Sequence, residues 1–114
     1  VRDLMNGLVE EYGSDRIACH FHDTRAMGLA NVYAAIESGV RKFDSSIGGL
    51  GGCPFAPGAK GNVATEDVVM MCHQMGFETG VDISILLKVV ELVSSLTESQ
   101  QGGRAHYWLS NNVA

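Results

Sequence analysis

Three short stretches of this 114-residue chain carry side chains whose types and spacing could do chemistry. The first is His20-Phe21-His22, followed at once by Asp23-Thr24. In an extended segment alternate side chains share a face, so His20 and His22 stand together, about 6.5 to 7 Å apart along the backbone. Two imidazoles so placed can lean onto one metal ion. The plainer alternative is a pair of polar residues hydrogen-bonded at a strand end. The hand-over at Asp23-Thr24 favours a site, because the C-terminal ends of strands are where α/β proteins hold ligands. The second stretch is Gly48-Gly49-Leu50-Gly51-Gly52-Cys53-Pro54-Phe55. Glycines give the backbone conformations that other residues avoid, so the loop could carry Cys53 over a pocket as part of a lid. A thiol can donate a proton near neutral pH, or act as a nucleophile if its pKa is lowered; a connector with an inert cysteine is the alternative. The third is Gly61-Asn62, whose amide oxygen suits a hard divalent ion, although alone it reads as a turn residue.

These residues need elements to position them. Leu4, Met5, Leu8 and Val9 repeat at helical spacing, predicting a helix over Arg2–Tyr12 that Gly13 stops. Ile17–Phe21 reads as a buried strand, and Ala26 to Ala34 as a helix ended by Gly39. Lys42–Ile47 reads as a second strand. A glycine-rich loop spans Gly48–Asn62. Thr65 is expected to cap the next helix, with Glu66 and Asp67 complementing its dipole. Asp82 is expected to cap a last helix from Ile83 to about Leu96, and a polar tail follows from Thr97. Strand and helix alternate as in βαβ units with parallel pairing. Two parallel strands are too few for a covered sheet, so the chain reads as part of a larger α/β fold. Cys72-His73 lies within a helix, where neighbours diverge, and reads as a core cysteine beside a surface histidine. Cys19 should face away from His20, into the packing, and His106 has no evident partner.

Composition narrows the classes. Net charge is −5 and the eight Lys and Arg residues are scattered, which leaves no nucleic-acid footprint. The apolar run Ile83–Val93 is interrupted and shorter than the ~20 residues of a membrane span. Nothing at the N-terminus reads as a signal peptide. Three cysteines, an odd number, argue for a reducing compartment and against a disulfide scaffold. Six of the 14 glycines fall between Gly48 and Gly61, which marks that loop for special geometry.

Taken together, His20-Phe21-His22-Asp23-Thr24, Asp44-Ser45-Ser46, the Gly48–Ala56 segment, Gly61-Asn62-Val63-Ala64-Thr65-Glu66-Asp67 and Thr79-Gly80-Val81-Asp82 resemble the 3-hydroxy-3-methylglutaryl-CoA lyase family. The likeness runs over about residues 1–96, and the Gly-Leu-Gly-Gly-Cys-Pro stretch is its specific part. The resemblance implies an α/β fold, the C-terminal portion of a (β/α)8 TIM barrel: the last two strands, their helices and the C-terminal helical region. Residues 1–96 would be a partial barrel domain and 97–114 a polar C-terminal tail. It implies a divalent ion, Mg2+ or Mn2+, held by His20, His22 and Asn62, with a further aspartate ligand on a strand outside this chain. Cys53, His20 and Glu66 are the implied catalytic residues. The implied reaction is cleavage of the acyl-CoA substrate to acetyl-CoA and acetoacetate, a step of leucine degradation, in a homodimer that is cytoplasmic, or in the mitochondrial matrix of a eukaryote. The competing expectations are a lyase for a longer 3-hydroxy-3-alkylglutaryl-CoA and a non-catalytic metal-binding domain. On its own this chain is expected to be inactive, because roughly 250 residues make a complete barrel.

Overall fold

The computed structural model describes residues 1–51, 61–97 and 102–112. The first helix, α1 (Arg2–Tyr12), turns Met5 into the core and ends where Gly13 adopts φ 82°, a conformation that favours glycine. Strand β1 (Cys19–His20) follows, then α2 (Gly28–Glu37) and strand β2 (Phe43–Asp44). The strands pair in parallel, with Cys19 opposite Phe43 and His20 opposite Asp44. The expected strands, Ile17–Phe21 and Lys42–Ile47, shrink to two residues each. Among the described residues each has one sheet neighbour, so the ladder lasts only where both backbones run alongside. β2 is cut short as well by a tight 3-10 turn at Ile47–Gly49, with Gly48 at φ 67° and Gly49 at φ 72°.

Two apolar clusters hold the helices to this ribbon. Met5, Cys19, Ala35 and Val40 join α1, β1 and α2; Val32, Ile36, Val63 and Val68 join α2 to α3 (Thr65–Gln74). Phe21 and Phe43 touch both clusters and make them one core. Beyond α3, α4 (Ile83–Leu96) packs on α3 and on the Ile47–Gly49 turn through a buried Leu86, Leu87 and Val90. Asp82 caps α4 as expected, its Oδ1 accepting from the N–H groups of Ser84 (2.9 Å) and Ile85 (3.2 Å).

Two expectations are corrected. Thr65 is not an N-cap: Ala64 holds that position and Thr65 is already helical. The backbone reaches it in extended pairing with Ser46, and the Thr65 hydroxyl is instead 2.7 Å from Ser45 Oγ. The polar tail is not featureless either. It contains α5 (His106–Asn112), whose Leu109 is buried against the rest of the chain. Among the described residues no helix is long and apolar enough to cross a membrane.

Candidate active site

The site is assembled where the two strands end. Cys19 points inward, with its thiol 3.4 Å from Met5 Sδ, and burial pushes that thiol's pKa up. His20 therefore faces the other way. Phe21 returns to the core and His22 faces outward again, so the rings of His20 and His22 meet with centroids 5.2 Å apart, edge to face. Both histidines are exposed in this chain. The third residue arrives from far along the sequence. Segment 61–65 threads between the strand ends, antiparallel to β1's extension (His22 bridged to Asn62) and parallel to β2's extension (Ser46 bridged to Ala64). Val63 N donates to Phe21 O and Asp23 N to Gly61 O, each at 3.1 Å; on the other side Ser46 N donates to Val63 O, also at 3.1 Å. His20, His22 and Asn62, expected together, are thus brought together by backbone pairing.

Close approach of backbones makes this possible. A Cβ on Gly61 would collide with the carbonyl oxygens of Gly49 and Gly51. One on Gly28 would lie 2.9 Å from Val63 Cγ2 and 3.0 Å from Asp23 Oδ1, the oxygen that accepts from Gly28 N. The Asn62 side chain is held one way round: its Nδ2 donates to Leu50 O at 3.0 Å, while its Oδ1 is buried and has no hydrogen-bond partner among the described residues. A buried unpaired oxygen costs free energy unless something accepts it as a ligand or donor. Two imidazoles and an amide oxygen left unpaired among the described residues fit a divalent cation. Among the described residues no three His, Cys, Asp or Glu side chains cluster to hold a metal without that amide.

Behind the site lies an acidic pair. Glu66 is fully buried; its Oε1 accepts from Gly48 N and its Oε2 from Gly103 N, both at 2.9 Å. Asp67, 3% exposed, accepts from the N–H groups of Arg104 (2.7 Å) and Ala105 (2.9 Å). Burial pushes the Asp67 carboxyl above the ordinary carboxylate range, against the pull of those two N–H groups, and the nearby Glu66 and Asp23 charges add to the rise. Arg104 Nε stands 3.7 Å from Asp23 Oδ2. A polar cavity of about 410 Å³ opens here, with Asp23, Asn62, Asp67 and Arg104 in its wall. Arg104 and this use of Asp67 escape a reading of the sequence, since Glu-Asp at a helix start looks like simple dipole complementation. The only signal for its partners, Arg104 and Ala105, is the Gly102-Gly103 pair just before them.

Cys53, expected as the acid on the glycine-rich loop, lies outside the described residues. Cys72 is half-buried in the α2–α3 core with its thiol's pKa raised by burial, and His73 is exposed with Nε2 2.8 Å from Thr79 Oγ1, so this pair is no metal site. His106 carries a buried Nδ1 that has no hydrogen-bond partner among the described residues.

Parallel strands each feeding a helix, with polar side chains gathered at the strands' C-terminal ends, define an α/β protein and fit a piece of an α/β barrel. The chain belongs to the HMGL-like family, whose model matches residues 1–93. It is 51% identical over 89 residues to a hydroxymethylglutaryl-CoA lyase of Pseudomonas mevalonii, a match covering 78% of this chain and 30% of that protein. It is 42% identical over 104 residues to a 3-hydroxy-3-isohexenylglutaryl-CoA/hydroxymethylglutaryl-CoA lyase of Pseudomonas aeruginosa, covering 91% and 35%. A crystal structure of hydroxymethylglutaryl-CoA lyase from Pseudomonas aeruginosa superposes with a TM-score of 0.90 at 40% identity, over 98% of this chain and 37% of that one. The chain spans about a third of the length of the curated relatives it matches.

Proposed function

We propose that this chain carries part of the active site of a lyase that cleaves 3-hydroxy-3-methylglutaryl-CoA to acetyl-CoA and acetoacetate. The observation that carries the reading is the bridging of His22 to Asn62 beside His20, with an Asn62 amide oxygen that no described residue satisfies. His20, His22 and Asn62 would hold Mg2+ or Mn2+, which when bound acts as a Lewis acid on substrate oxygens. His20, with one ring nitrogen free, is suited to take the C3 hydroxyl proton. The C2–C3 electron pair then passes to the acetyl-CoA side as an enolate, the C3 oxygen becomes the ketone of acetoacetate, and an acid must protonate C2. Cys53 is proposed for that acid. Glu66, expected among the catalytic residues, is proposed in a different role, because both its oxygens are occupied by backbone N–H groups.

The motif order supports assigning the chain to the last two strands of the barrel with the C-terminal helices. The neighbouring reading frame tests this. An upstream extension of about 180 residues with Arg-Asp on its first strand would bring the whole to barrel size or slightly beyond; an extension carrying the other strands downstream would refute it. Full-length protein should cleave the substrate with Mg2+ or Mn2+, and Cys53→Ala should lower turnover far more than metal affinity. His22→Ala should weaken Mn2+ binding by calorimetry, on the order of tenfold or more, as loss of a ligand or its support does. Unchanged affinity would remove His22 from the ligand set, and metal binding without any cleavage by the full-length protein would favour the non-catalytic reading. The 114-residue chain alone should show negligible turnover. A second substrate has one specific support, the relative named for 3-hydroxy-3-isohexenylglutaryl-CoA; competition between the two thioesters for full-length protein decides between them.

A further inference from the structure

We propose that Glu66 is a positioning residue that ties the C-terminal segment, residues 102–112, to the Gly48–Gly51 turn, so that docking of α5 sets where the Asn62 amide stands. A carboxylate in the first turn of a helix can satisfy itself on that helix's own free N–H groups. Glu66 does not. It is fully buried, and its two oxygens go to backbone N–H groups 18 residues before it and 37 residues after it, Gly48 and Gly103. The same two segments also meet directly, Gly102 N donating to Gly48 O at 3.2 Å. Asp67 fixes the next two residues of the C-terminal segment, and Leu109 anchors α5. From Gly48 the connection continues without a gap. The turn places Leu50 O on Asn62 Nδ2, and the Gly49 and Gly51 carbonyls press on Gly61 so closely that a Cβ there would collide with them. A buried carboxylate bonded at both oxygens resists displacement, because freeing either N–H leaves a desolvated charge under-satisfied. The consequence for metal binding rests on the function proposed for Asn62; the mechanical link does not.

The test is amide hydrogen exchange on the whole 114-residue chain, with no metal and no turnover involved, so failure of the lyase reading leaves it standing. Leu109→Ala loosens α5 at a distance from the turn. The expected result is that Gly103 and Gly48 N–H exchange together at least about tenfold faster, while Cys19 N–H, bonded to Lys42 O in the sheet, keeps its rate. Faster exchange at Gly103 with Gly48 unchanged would overturn the proposal. If Cys19 accelerates as well, the variant has lost its fold, and the near-isosteric Glu66→Gln replaces it. There Gly48 and Gly103 should accelerate together and Cys19 should not, and an unchanged Gly48 would again overturn the proposal. In the Glu66→Gln background, adding Leu109→Ala should produce no further change at Gly48, a non-additivity that general loosening of the structure does not give.

Discussion

Asp67 shows how much of the site depends on single groups placed behind its proposed ligands. Its carboxyl is buried, and its pKa lies above the ordinary value of 3.8. An acid with a raised folded pKa holds its proton more tightly folded than unfolded. Its contribution to stability is therefore complete below the unfolded value and is lost as pH rises through the folded one. Asp67→Asn, which keeps the size and one acceptor oxygen, should not share that loss. Urea unfolding from about pH 4 to about pH 7 should show the variant gaining on the parent as pH rises. A constant difference across that range would mean that Asp67 titrates like a surface carboxylate. Glu66 lies beside it, equally hidden, and both are anchored by backbone N–H groups rather than by cations.

At the scale of elements, what was legible in the sequence follows locality. α1 ends at Gly13 and α4 begins at Asp82 because the stop and the cap lie next to the elements they bound. Asp82→Ala should cost about 1 kcal/mol, the usual loss of an N-cap, measured as a lower urea midpoint. No change would mean that burial of Leu86, Leu87 and Val90 alone fixes where α4 begins. The His20–His22 pairing was equally legible, since it needs only the two-residue period of a strand. The strand lengths were not, because a ladder needs a neighbour and sequence periodicity cannot say where the neighbour stops. Nor was the role of Thr65, whose capping chemistry was overridden by backbone pairing with Ser46 and a hydroxyl contact to Ser45. The C-terminal segment was misread for the same reason: its polar composition hides contacts to carboxylates more than 35 residues away.

The whole molecule is a thin slab. Its extents are 44 × 36 × 19 Å and its radius of gyration is 14.7 Å, against about 13 Å for a compact domain of this length. The sheet is a ribbon of two short parallel strands, and parallel sheets are stable when both faces and both edges are covered. Leu4, Ile85, Leu92 and Leu96 are all more than half exposed. The isolated chain should therefore associate as its concentration rises, with a weight-average mass by sedimentation that climbs between about 10 and about 200 µM. A constant monomer mass over that range would show that the slab is self-sufficient. The exposed histidines project from the strand on the side opposite to Cys19 and its core cluster.

Gly28 and Gly61, both crowded, have different evolutionary freedom. At position 28 the obstacles to a side chain are themselves side chains, Val63 and Asp23. A lineage that first trimmed residue 63 could later admit alanine at 28, and Val63→Ala should accordingly recover part of the stability that Gly28→Ala loses. At position 61 the obstacle is the carbonyl oxygens of Gly49 and Gly51, which every amino acid possesses. No compensating replacement exists, so position 61 is closed to drift for as long as the chain keeps this crossing of backbones.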